Sequence, residues 1–283
     1  MAPSRSALFS LLLSALPLVS AQECTLQFDG RTPDDFAAAD FDANNNIFSP
    51  DNVFGQGLSF GQLIKLPNAG LSIFDDGTAP FEVTISDDSI FPLPRQRANG
   101  LPPRRAHPGL QLRHRPSTTG VKTLHFSLMK DAARPLNLSH EYQLVFLESN
   151  DFSTNQVVLK TGTILGGNTA DPDTLQLFGN VNQGNLLFST AFTAGVFHNF
   201  GVLLDFNALL LLHRLRPLEE QTDAIANDVS GQGQFHFGVL KKPTDSAGDI
   251  TKDGFQEAGI DEGIIFGGIF QEDSSDGCIS LSL

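Results

Sequence analysis

The chain contains no tryptophan and one tyrosine, yet phenylalanine occurs 24 times in its 283 residues. Sugar-binding clefts commonly stack pyranose rings on Trp or Tyr, which join a flat apolar face to a polar edge. That platform is missing, and most of the phenylalanines must be core. Basic residues are also scarce. Eighteen Lys and Arg stand against 32 Asp and Glu, for a net charge of −14. Such a balance argues against nucleic acid or an anionic membrane surface as partner, repels acidic polysaccharides and favours a neutral ligand. With two cysteines in all, and no His or Cys pair at ligand spacing, no metal is expected. Nucleophile-elbow, zinc-protease and phosphate-loop motifs are lacking too.

Long apolar runs are confined to the N-terminus. Arg5 precedes an apolar stretch from Ala7 to Val19, and the small residues Ser20 and Ala21 follow. This is the layout of a signal peptide over residues 1–21, too short and too interrupted by Pro17 for a membrane anchor. The remainder, 22–283, is expected to be one secreted, extracellular, monomeric domain. An extracellular route permits disulfides, so Cys24 and Cys278 are expected to pair and fasten the two ends of that domain. Asn137-Leu138-Ser139 is an N-glycosylation sequon.

Short apolar or alternating runs recur between turn clusters such as Asp75-Asp76-Gly77, Gly166-Gly167-Asn168 and Ser230-Gly231-Gln232-Gly233. Strands are predicted at Phe81–Ile85, Thr123–Leu128, Tyr142–Leu147, Gln156–Leu159, Phe197–Phe206, Gln234–Leu240 and Gly263–Phe270. One short helix is predicted over Pro217–Asn227. The fold class is therefore all-β, an antiparallel sandwich with no internal repeat.

Several segments resemble fungal glycoside hydrolase family 131. They include Phe28-Asp29-Gly30-Arg31, Glu82-Val83-Thr84-Ile85-Ser86-Asp87, Gly120–Ser127, Arg134–Tyr142, Gly231–Gln234, Leu240–Pro243 and Gly263–Gly268, in order along most of the chain. The resemblance implies a β-jelly-roll and hydrolysis of β-glucans with β-1,3, β-1,6 or β-1,4 linkages, without a cofactor. One segment departs. Where the family has a stretch like Phe-Arg-Arg-Ala-Glu-Leu, this chain has Leu101-Pro102-Pro103-Arg104-Arg105-Ala106-His107. Six of its 11 arginines fall between Arg95 and Arg115, and no acidic residue occurs between Asp88 and Asp131. Read one nucleotide later, a back-translation of Gly100 to Pro116 permits Ala-Phe-Arg-Arg-Ala-Glu-Leu and then Ala-Ser-Asn-Ser-Gly-Thr-Asp-Pro. A shifted reading frame over 100–116 is therefore expected, and Leu212–Pro217 is a second candidate. As written, the chain lacks one carboxylate that the resemblance implies and is expected to be inactive or misfolded.

Glycosidic hydrolysis generally needs two carboxyl groups in environments that drive their pKa values apart. Regular alternation puts Tyr142, Leu144, Phe146 and Glu148 on one strand face, with His140 in line, and turns Glu141 the other way. Glu148 and Glu141 are the candidate catalytic acids, one of which is expected to line the cleft, Glu148 preferred; the resemblance places the other carboxylate in the departed segment. His140, His125, Lys122 and Tyr142 are the candidate substrate-binding residues. Glu82 is flanked by strand residues, whereas Glu257 and Glu262 are expected in exposed turns. Two other readings compete. A carbohydrate-binding sandwich without catalysis would need no acid pair, and a polysaccharide lyase would use His, Tyr, Arg or Lys to remove a proton.

Overall fold

The computed structural model describes residues 24–43, 47–49, 57–92, 104–106, 109–112, 116–182, 184–208, 210–215, 220–221, 225–246, 250 and 254–282. The expected leader at 1–21 lies outside them. So do most of the reading-frame segment and Pro217–Glu219 and Thr222–Ala224 of the expected helix. The rest of that helix is contradicted: Glu220–Gln221 and Ile225–Ala226 are strands paired with Leu210–Leu215. Pairing with a neighbouring strand has overridden the local helical pattern.

Two antiparallel sheets stack face to face. The first runs in the order Glu220–Gln221, Leu210–Leu215, His198–Asp205, Val121–Lys130, Asp261–Asp273, Phe81–Ser86 and Ile64–Lys65, with Leu26–Asp29 also on Asp261–Asp273. The second runs Leu186–Ala191, Thr174–Phe178, Asn155–Gly162, Glu141–Ser149, Gly233–Lys241, Arg104–Ala106 and Ile90–Pro92. Gly109–Leu112 also pairs with Gly233–Lys241, and Phe48–Ser49 pairs with Gly109–Leu112. The seven predicted strands are all present, and the all-β sandwich is the observed fold.

Between the sheets lies a phenylalanine-rich core. Phe126 stacks on Phe200 in its own sheet and meets Phe237 of the other sheet edge-on, at 5.0 and 6.1 Å between ring centroids. Phe81, Phe266, Leu144, Leu147 and Leu159 fill the same layer. Burying each such side chain stabilises the fold by about 2–3 kcal/mol relative to exposure. Cys24 and Cys278 are disulfide-bonded as expected, joining positions 254 residues apart with Cα atoms at 5.7 Å.

One irregularity decides what faces outward. The Glu141–Ser149 strand slips register between Gln143 and Val145 against both of its neighbours. Tyr142, Leu144, Val145 and Leu147 all enter the core in consequence. An extra residue at a bulge reverses the alternation beyond it. Glu141, Gln143, Phe146 and Glu148 therefore share the outer face. The expected opposition of Glu141 to Glu148, and the expected grouping of Phe146 and Glu148 with Tyr142, are both corrected by this bulge.

Candidate active site

The outer face of the second sheet gathers two of the candidate acids. Glu141 sits where its strand meets Gly162 of the next one, and its side chain is 1% exposed. Gly162 has φ +80°, and a Cβ there would lie 2.0 Å from the His140 carbonyl oxygen, so glycine alone fits. Lys242 Nζ and Lys160 Nζ lie 2.6 and 3.0 Å from Glu141 Oε1. Leu165 N–H donates to Oε2 at 2.9 Å, and Gln143 Nε2 donates to Oε1 at 3.3 Å. Burial opposes ionisation of this carboxyl. The two ammonium groups and the Leu165 hydrogen bond outweigh it and hold Glu141 below the usual glutamate range. Burial lowers the Lys160 ammonium, which also lies 5.0 Å from the Phe178 ring centroid. The result is a desolvated, ionised carboxylate braced on one side by cations.

Further along the face, Phe146 stacks on His236 with centroids 4.4 Å apart and planes 8° from parallel. His236 Nε2 lies 3.4 Å from Glu148 Oε2, an ion-pairing distance without hydrogen-bond geometry. Seven residues separate Glu141 from Glu148. At about 3.3 Å per residue, and allowing for the bulge, their backbones are roughly 20 Å apart. Paired carboxylates acting on one glycosidic bond lie about 5–9.5 Å apart. The separation of Glu141 from Glu148 exceeds that spacing.

The other sequence candidates lie elsewhere. Tyr142 points into the sandwich, where its hydroxyl donates to Glu262 Oε2 at 2.7 Å. Burial and the Glu262 charge push that hydroxyl far above the tyrosine range. His140 is buried between the Lys242 carbonyl, 2.7 Å from Nδ1, and Glu257 Oε2, 2.7 Å from Nε2. Lys241, wholly buried, bridges Glu257 and Glu262, at 2.7 Å to Glu262. Glu262 is thus a buried strand residue, contrary to the expected exposed turn, and Glu257 is only partly exposed. Burial opposes ionisation of Glu257, but the Lys241 and Asn137 hydrogen bonds bring it down to about 2. Asn137 itself is exposed, and its amide donates to Glu257 Oε1 at 2.9 Å. These groups form an internal ionic cluster at one end of the sandwich.

Lys122 pairs with Asp273 at 2.7 Å at the opposite end. His125 lies on the outer face of the first sheet, bonded to Glu272 at 2.8 Å and stacked on Phe270. Glu82 is locked by Arg134, whose Nε donates at 2.7 Å; burial nevertheless raises the Glu82 carboxyl. Of the six candidate catalytic and substrate-binding residues, only Glu141 and Glu148 reach the outer face of the second sheet. Sequence reasoning missed Lys160, Lys242 and His236, which come from three separate positions on neighbouring strands. Among the described residues no group of His, Cys, Asp and Glu is arranged to hold a metal.

One more position falls in register with Glu141. Tyr142 pairs with Lys241, and Lys241 with Ala106. One step along, Glu141, Lys242 and position 105 fall in a single row across three strands. Two strand spacings put the backbones of 141 and 105 roughly 10 Å apart.

Comparison with known proteins agrees with this architecture. The catalytic domain of a glycoside hydrolase family 131 protein from Coprinopsis cinerea superposes with TM-score 0.65 at 17% identity, over 92% of this chain and 98% of that one. A β-glucanase catalytic domain of the same family from Podospora anserina gives TM-score 0.66 at 20% identity, over 91% and 98%. An endo-β-1,4-glucuronan lyase from Trichoderma reesei gives 0.51 at 10% identity, over 88% and 95%. Among curated protein sequences none matches. At these identities the likeness establishes the fold. The family is established separately by a sequence model for the glycoside hydrolase 131 catalytic N-terminal domain, which matches residues 26–277, and the chain belongs to that family of glycoside hydrolases.

Proposed function

We propose that the gene encodes a secreted β-glucan hydrolase in which Glu141 is the general base. The observation that carries this reading is the Glu141 environment: a nearly inaccessible carboxylate on the outer sheet face, kept ionised by Lys160 and Lys242. A base must be deprotonated at working pH, whereas an acid must keep its proton. Glu141 suits the first role and not the second.

The acid is assigned to position 105. Counted from Gly100, the shifted frame Ala-Phe-Arg-Arg-Ala-Glu-Leu puts its glutamate there, in the row that holds Glu141 and Lys242. The following leucine then falls at position 106, the register partner of the core-side residue Lys241. Backbones roughly 10 Å apart leave room for a water between the two carboxyl groups, the arrangement of an inverting hydrolase. In this mechanism the residue at 105 protonates the leaving oxygen while Glu141 takes a proton from the attacking water. Lys242, between them in the row, holds Glu141 in place.

The chain as written has Arg105 in that position and is inactive on this reading. Secretion is supported by the Cys24–Cys278 disulfide. Glu148 with His236 is assigned to substrate contact along the same face, since it is too distant to complete the acid pair. The lyase alternative loses support because the single tyrosine is buried on Glu262.

Two measurements test the proposal together. The nucleotide sequence across Gly100 to Pro116 is expected to contain the alternative frame. Reducing-sugar release from laminarin and cellulosic glucan is expected only from protein carrying the restored strand. Equal activity of the two proteins would dismiss position 105, and an unsaturated product would dismiss hydrolysis.

A further inference from the structure

The turn between the Glu141–Ser149 and Asn155–Gly162 strands holds Phe152 at φ +59° with 70% of its surface exposed. Left-handed backbone is unfavourable for any residue with a Cβ and is an outlier for a bulky one. An exposed ring gains no burial to offset it. The turn is nevertheless firmly fixed. Asp151 Oδ1 accepts hydrogen bonds from Ser149 Oγ at 2.6 Å, Ser153 Oγ at 2.7 Å and Ser153 N–H at 3.1 Å. Phe152 N–H donates to the Ser149 carbonyl at 2.9 Å, and Asn150 N–H to the Gly231 carbonyl at 3.0 Å. The neighbouring turn is tied in as well: Thr154 Oγ1 donates to Asn180 Oδ1 and Val181 N–H to the Asn155 carbonyl, each at 3.0 Å. Strain maintained by so many bonds at an exposed ring points to a use for the ring.

The composition narrows that use. With no tryptophan and the one tyrosine buried, phenylalanine is the only aromatic left for stacking on a sugar. Among the described residues Phe152 is the most exposed aromatic, ahead of Phe255 at 48%. The tied turn adds exposed amides at Asn182 and Asn185. At about 3.3 Å per residue, Phe152 stands more than roughly 20 Å from Glu141, several sugar units from the proposed reacting row.

We propose that this rim is a second, non-catalytic glucan-binding site, in which a pyranose face of a neutral β-glucan stacks on the Phe152 ring. It rests on the β-glucan reading given above and extends it: the site anchors polymer rather than cleaving it. The net charge of −14 fits a neutral chain and disfavours a polyuronate.

The test is an adsorption isotherm of the full secreted chain on insoluble β-1,3-glucan and on cellulose. Phe152→Ala is expected to weaken adsorption roughly fivefold. Phe152→Trp is expected to retain or strengthen it. Phe152→Gly is expected to weaken adsorption like alanine while melting at a higher temperature than Phe152→Ala, because glycine adopts φ +59° freely. Adsorption by the parent chain that Phe152→Ala leaves unchanged overturns the site and leaves the β-glucan reading intact. A parent chain that adsorbs neither polymer also overturns the site, and reducing-sugar release by protein with the restored strand then decides the β-glucan reading separately. A parent dimer in sedimentation that Phe152→Ala converts to monomer assigns the ring to self-association and also overturns the proposal.

Discussion

The two sheets carry the same constellation on their outer faces, and it means different things on each. On the first, His125 stacks on Phe270 at 4.4 Å and 11° and bonds to Glu272 at 2.8 Å. On the second, His236 stacks on Phe146 at 4.4 Å and 8° and lies 3.4 Å from Glu148. The first pair is sealed: its side chains are 0% and 1% exposed, against 11% and 27% for the second. The cover comes from two places. Phe74 meets both His125 and Phe270 edge-on, seated over Gly268, where φ is +58° and a Cβ would lie 2.3 Å from that of Phe74. Ser280 N–H, just beyond Cys278, donates to Glu272 Oε1 at 2.8 Å. A histidine, a carboxylate and a ring are therefore a piece of core when lidded and a candidate binding surface when left open. Residue identity alone does not separate the two cases.

That contrast can be tested from its strongest point downward. Replacing both cysteines by serine, C24S/C278S, releases the tail that covers the first sheet. Chain entropy for so long a loop predicts a loss of about 5 kcal/mol in denaturant unfolding of the oxidised protein. On the second sheet, Glu141→Gln in protein with the restored strand is expected to lower kcat by about a thousandfold, a loss far larger than the drop in stability that comes from leaving Lys160 and Lys242 without their carboxylate. His125→Ala is expected to cost about 3 kcal/mol of stability by leaving Glu272 buried without its partner, whereas His236→Ala costs less than about 1 kcal/mol. Equal costs for the two histidines would erase the distinction between lidded and open faces.

The smallest effect concerns pH. Lys160→Met removes a cation that holds Glu141 down, so the Glu141 pKa rises and the acid limb of the rate profile moves to higher pH. The sign for stability follows from the same shift. Glu141 is lowered in the folded state, so its contribution is full above the ordinary glutamate range and is lost as pH falls through the folded value. Lys160→Met is therefore expected to shrink the part of the stability that disappears on acidification, measured by urea unfolding at pH 7 and below pH 4.

Much of the fold was legible in the sequence because it rests on alternation and turn residues, which are local. Phe81–Ile85 and Thr123–Leu128 stand in the structure as a period of two predicts. Glu141 was legible as a candidate, but its direction was not. One extra residue near Leu144 turns the strand over, and nothing in Tyr142–Leu147 announces a bulge. Lys160 and Lys242 were invisible for another reason: each gains its meaning from pairing with a residue far along the chain. Lys122, His125, His140 and Tyr142 looked as suitable as any polar residue near a strand. The difference between them and Lys160 is burial and direction, which only the packed sheets set.

The disulfide has a mechanical meaning as well. Cys24 and Cys278 close residues 24–278 into a covalent ring. A pull applied outside positions 24 and 278 passes directly through the sulfur–sulfur bond, so the sandwich between them carries no load. A protein tethered by its two ends on a swelling, fibrous polymer would keep its sheets in register until that one bond broke.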